Sequence, residues 1–242
     1  MVGILPPIGP SARSLGTNTS CEPTRDAWSR PRPHRPVPWA TMLKKAPGSP
    51  RLIVLVAPGG TDRSYRPFSP WQSSALRMYP FTWSIRLRFG RAVLVRQLQY
   101  RVYGWNGGQA SPMPYARAAL DEVTAAHPGV PVVVIGHSMG GRVAAHLAAD
   151  RRVIGVLGLA PWWQYADWRF INPAAQVLAV HGDADERTFD RRTRKGIDEL
   201  RARGSRAEFI PVPGGGHSML DHITLWHGAA LDFVGDILSE LR

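Results

Sequence analysis

From residue 51 onward, the apolar positions fall into short unbroken runs separated by stretches of helical spacing. The first run is Arg51-Leu52-Ile53-Val54-Leu55-Val56-Ala57, and it stops at Pro58-Gly59-Gly60. A run that is apolar on both faces suits the centre of a parallel sheet covered by helices on both sides. Similar runs predict strands over 92–98, 132–135, 153–159, 177–180 and 207–210. Between them, residues 71–89, 113–126, 139–149, 188–203 and 222–241 predict helices. Over 113–126, for example, Ala116, Ala119, Leu120 and Val123 share one face. Residues 104–109, Gly-Trp-Asn-Gly-Gly-Gln, read as a loop. Strand and helix alternate throughout. That pattern predicts the α/β class, a three-layer α/β/α sandwich on a mainly parallel six-stranded sheet. In such sheets, reactive groups gather at the carboxyl ends of the strands.

The first 50 residues follow no such period. They hold ten of the 22 prolines, including the run Arg30-Pro31-Arg32-Pro33-His34-Arg35-Pro36. Proline removes donors and restricts its predecessor, so neither helix nor strand is expected there. The expectation is a disordered Pro/Arg-rich extension over 1–41 and one folded domain over 42–242. Globular patterning begins just after Met42, which makes Met42 a candidate for the true start of the chain.

Composition narrows the class. The chain has 242 residues, 44% hydrophobic and 20% charged, enough for one large core. No apolar run approaches the roughly 18 residues that span a bilayer, and no signal peptide is read at the start. Cys21 is the single cysteine, so no intramolecular disulfide is expected and a cytoplasmic location is the default. The net charge is +12, of which residues 1–41 carry +3. The arginines between Arg187 and Arg206 interleave with Asp190, Asp198 and Glu199, as on a solvated helix face. No nucleic-acid-binding module accompanies them, so no nucleic-acid partner is expected.

The strand over 132–135 runs into Gly136-His137-Ser138-Met139-Gly140-Gly141, and a helix follows. Gly-x-Ser-x-Gly alone is a weak signal, and its strand-turn-helix context strengthens it. The turn leaves no room for side chains two positions from the serine, and glycine stands at both. Ser138 at a helix start is thus the candidate nucleophile. A serine hydroxyl needs a base. Among the eight histidines, His217 ends the flexible loop Pro213-Gly214-Gly215-Gly216 after the last strand. It is the candidate base, with His222 the nearest rival. His137 lies inside the turn and is expected to point elsewhere. The base needs an acid. The strand over 177–180 ends in His181-Gly182-Asp183-Ala184-Asp185. Asp185 is preferred, because the turn carries it toward His217, whereas Asp183 caps the turn. The oxyanion of acyl transfer needs donors, and the backbone N–H groups of Met139 and Gly60 are expected to supply them. Gly59 is expected to touch substrate.

These pieces together resemble the α/β-hydrolase superfamily over roughly 51–241, and look like its small actinobacterial members. The resemblance implies a serine hydrolase acting on a small-molecule ester, with Ser138, Asp185 and His217 as triad and no metal or cofactor. Two features depart from the family. Pro58-Gly59 replaces the frequent His-Gly, and Ala160 to Ala175 are too few for a helical cap. The aromatic residues of that short connection either line a pocket or cover the core, and Trp162, nearest the strand end, is the candidate substrate contact. Amide, thioester or peroxide chemistry on the same triad, or a non-catalytic binding protein of this fold, are the alternatives.

Overall fold

The computed structural model describes Gly48 and residues 50–241. The expectations for residues 1–41 and for Met42 fall outside the described residues. Six strands form the sheet: β1 (Leu52–Ala57), β2 (Val93–Gln97), β3 (Val132–His137), β4 (Val153–Leu159), β5 (Gln176–Gly182) and β6 (Ala207–Val212). Their order is β2-β1-β3-β4-β5-β6, and every pairing is parallel. The helices are α1 (Ser73–Leu76), α2 (Tyr79–Phe89), α3 (Met113–Ala126), α4 (Met139–Leu147), α5 (Asp190–Ala202) and α6 (Ile223–Glu240).

The unbroken apolar runs are explained by two cores, one on each face. In β1, Ile53, Leu55 and Ala57 pack with Leu120 of α3, Val143 of α4 and Ile197 of α5. Leu52, Val54 and Val56 point the other way, toward Phe81 and Ile85 of α2 and Phe233 and Ile237 of α6. The period of two along β1 thus feeds both layers, which is why all six of its residues are apolar. β6 pairs only with β5 and is an edge; its Pro211, which has no N–H for a ladder, is tolerated there.

One expected helix is broken. Residues 71–89 form α1 and α2 with a break at Arg77–Met78, because Pro80 cannot donate back to the preceding turn and a new helix starts around it. The connection between β4 and β5, residues 160–175, holds one short 3-10 turn and no cap. No helix among the described residues is long and apolar enough to cross a membrane. The chain leaves β1 for β2 on one side and returns to β3 on the other. A crevice opens at the carboxyl ends where the winding reverses.

Candidate active site

β3 delivers Ser138 on a backbone that L-residues rarely adopt, φ 55° and ψ −119°. Such a conformation costs on the order of 1–3 kcal/mol and persists where its surroundings enforce it. Here the Ser138 N–H donates to the Leu159 carbonyl at 3.1 Å, and the Ser138 carbonyl accepts from Gly141 and Trp162, each at 2.9 Å. The flanking glycines are steric necessities. A Cβ on Gly136 would strike the Gly140 carbonyl, and one on Gly140 would strike the carbonyl of Ala57.

His217 lies in the loop between β6 and α6. Its Nε2 stands 3.0 Å from Ser138 Oγ and its Nδ1 2.7 Å from Asp185 Oδ2. An ionised carboxylate only accepts, so Nδ1 carries the proton and the bare Nε2 faces the serine hydroxyl. Asp185 is fully buried and surrounded by donors. Its Oδ1 accepts from the backbone N–H groups of Arg187 at 2.8 Å and Thr188 at 3.1 Å. Its Oδ2 accepts from the Thr188 hydroxyl at 2.7 Å and lies 3.2 Å from His181 Nε2. Burial works to raise the Asp185 carboxyl, but the hydrogen bonds from His181, His217 and Thr188 outweigh it and hold the group well below the usual carboxylate range.

Asp183 is exposed and does something else: its Oδ1 accepts from the Gly214 N–H at 2.6 Å, which ties down the glycine loop that leads to His217. His222 precedes α6 in the left-handed conformation and bonds neither Ser138 nor Asp185 among the described residues. His137 corrects an expectation. Its ring does not point away but lies beside His217, with centroids 5.0 Å apart. Its Nε2 is 2.9 Å from the His217 carbonyl oxygen, while Nδ1 is buried without a partner among the described residues.

A cleft of about 460 Å³ opens over Ser138 and His217 and is lined also by Gly59, Gly60, Arg77 and Arg187. Gly60 packs on the Met139 side chain, and Met139 heads α4, whose first N–H groups have no partner within the helix. The expected Gly59, Gly60, Met139, Ser138, Asp185 and His217 therefore converge. Trp162 does not line the cleft. The Arg142 guanidinium lies 4.8 Å from its ring, 4.0 Å from Trp105 and 4.8 Å from Tyr165, while Arg142 Nε donates to Asp167 at 3.0 Å.

Sequence reasoning missed Arg77, Arg187, His181 and Thr188. The last two share a short segment with Asp185, and their spacing to it was the available signal. Nothing in the pattern marked Arg77, which ends a four-residue helix.

Residues 115–180 match the family model described as serine aminopeptidase, S33, a span that includes Ser138 but not Asp185 or His217. No curated protein matches the chain. Solved structures do. A protein of unknown function from Agrobacterium tumefaciens is 20% identical over 79% of this chain and 87% of its own, with a TM-score of 0.63. An α/β serine hydrolase without lid from Xanthomonas campestris is 20% identical, covering 78% and 83%, with a TM-score of 0.60. A thermophilic esterase from Thermogutta terrifontis, with propionate bound, is 18% identical, covering 82% and 86%, with a TM-score of 0.57. The chain has the α/β-hydrolase fold in its lidless form.

Proposed function

We propose that the protein is a serine hydrolase that cleaves small to medium carboxylic esters through an acyl-enzyme. The observation that carries this reading is the unbroken relay from Ser138 Oγ to His217 Nε2 at 3.0 Å and from His217 Nδ1 to Asp185 Oδ2 at 2.7 Å. His217 takes the hydroxyl proton as Ser138 Oγ bonds to the ester carbonyl carbon. The backbone N–H groups of Met139 and Gly60 receive the oxyanion. His217 returns the proton to the departing alkoxide, and Asp185 stabilises the imidazolium in between. Water then repeats the sequence, freeing the acid and the serine. The reading carries with it a small-molecule substrate, no cofactor and a cytoplasmic location.

The matched family's name concerns peptides with a free amino end. An ammonium group asks for carboxylates, and the cleft offers two arginines against Glu186. Ester cleavage fits that charge better. The test is labelling with a fluorophosphonate probe followed by peptide mapping, beside turnover of p-nitrophenyl butyrate. Labelling at Ser138, and loss of both signals in Ser138→Ala with the fold intact, is the expected result. Undiminished turnover in Ser138→Ala refutes the reading.

A further inference from the structure

The cleft wall is unusual for a site meant to hold an alkyl chain. Ala184 is its one aliphatic side chain; Ser73, Ser74, Tyr103 and Ser218 fill much of the rest. Two guanidinium groups face this polar space. Arg77 is half-buried, and among the described residues no carboxylate or carbonyl accepts from its side chain. Other arginines of intermediate exposure do have acceptors: Arg86 donates to the Val95 carbonyl at 2.7 Å and Arg96 pairs with Glu122 at 2.8 Å. Arg187 is exposed at the same cleft and likewise has no side-chain partner among the described residues. Glu186 also lines the cleft and forms no ion pair with either of them.

Burial, and then the charge of Arg187, pull the Arg77 guanidinium below its ordinary value. The two cations therefore stand close enough to repel. The charge of Arg77 is also felt at His137, next to the nucleophile. Two like charges beside Ser138, one of them half-desolvated and neither paired among the described residues, form an arrangement that an anion completes. Guanidinium groups match the paired oxygens of carboxylate and phosphate.

We propose that Arg77 and Arg187 form an anion subsite beside Ser138, so that the ligand class is an ester bearing a carboxylate or phosphate-like group a few bonds from its carbonyl. The inference rests on the hydrolase reading above for its ester, and on the cleft alone for its anion. The ester is held with its charged end between the arginines and its carbonyl over Ser138, so the subsite selects substrates rather than reacting with them.

The probes are p-nitrophenyl butyrate, p-nitrophenyl hemisuccinate and the p-nitrophenyl ester of 3-phosphonopropionic acid, which differ in replacing a terminal methyl by an anion. The expected result is a kcat/KM at least about tenfold higher for one charged ester than for butyrate, a difference of about 1.4 kcal/mol. Which charged ester leads identifies the anion. In Arg77→Gln and in Arg187→Gln that ratio falls toward unity. Equal kcat/KM for all three esters, or a ratio that neither substitution moves, overturns the subsite and leaves the hydrolase reading standing. Calorimetry with monomethyl succinate against methyl butyrate separates the opposite case. Arg77-dependent binding of the anion without any turnover or Ser138 labelling keeps the subsite and retires the hydrolase, and absence of such binding overturns the subsite.

Discussion

The imidazole of His137 donates through Nε2 to the backbone carbonyl of His217, 2.9 Å away. A carbonyl oxygen only accepts, so Nε2 bears the proton. The residue beside Ser138 thus holds the loop that carries His217. Burial first, then the neighbouring His217, push the His137 pKa down to about 3. In the folded protein the ring stays neutral well above about pH 3, and its single N–H stays committed to that bond.

Stability follows from this shift. Unfolded, His137 titrates near its ordinary value of 6.5, and folded it titrates at about 3. Between those values only the unfolded chain binds the proton. The contribution of His137 to stability therefore falls as pH drops from about 6.5 toward about 3, by up to about 1.4 kcal/mol per unit, and is flat above. His137→Gln keeps an N–H for the carbonyl and removes the titration. Urea midpoints measured from pH 4 to 7 are expected to lose part of their slope in the variant, the remainder belonging to groups such as His227, which burial also pulls below its ordinary value. An unchanged slope assigns it to other groups.

Asp183 and Asp185 stand two residues apart and do different work. Asp185→Asn breaks the acceptor that fixes the His217 tautomer, and kcat is expected to fall by about 10⁴. Asp183→Asn keeps an oxygen for the Gly214 N–H and is expected to lower kcat by less than about tenfold. Equal losses would mean that the acid had been misassigned. Parallel kcat measurements on the two proteins decide it.

Gly60 tolerates no side chain, since a Cβ there runs into the Met139 thioether and the backbone carbonyl of Tyr103. The backbone cannot yield as a flexible side chain can, so the loop must shift and carry the Gly60 N–H with it. Gly60→Ala is expected to cost about 10²–10³ in kcat, the usual worth of one oxyanion donor, while KM changes little. A fall in KM-dependent binding alone points to another role for the loop.

Arg142 and Asp167 are almost fully buried, with side-chain exposures of 5% and 1%. Removing one partner strands the other's charge, and Asp167→Asn is expected to lower stability by about 3–5 kcal/mol. Chemical denaturation measures it. Because His146 Nε2 also lies 3.0 Å from the Asp167 carboxylate, the loss is shared with that side chain.

Much of the fold was legible because parallel strands are apolar on both faces. Val153–Leu159 emerged with its bounds intact, and the other strands shifted by one or two residues at their ends. The break before α2 is hidden in the sequence because helical spacing continues across Pro80. The meeting of Ser138, Asp185 and His217 was legible because each follows a strand and sits by a turn. Arg77 was not, since its meaning depends on what faces it across the cleft. Nearness along the chain to a strand end also says nothing about which way the Trp162 ring turns, and here that ring lies 4.8 Å from the Arg142 guanidinium rather than in the cleft lining.

β6 is an edge strand, and the loop after it carries His217. Held by β5 alone on one side, β6 and the loop are placed to open before the central strands do. His217 is thereby mounted beside an edge of the sheet, and Ser138 at the end of the central strand β3. On warming, turnover should vanish while far-ultraviolet circular dichroism is still native, and amide exchange should quicken first at Ala207–Val212. For this molecule, operating life and survival of the fold are separate quantities, and the first is set at the rim.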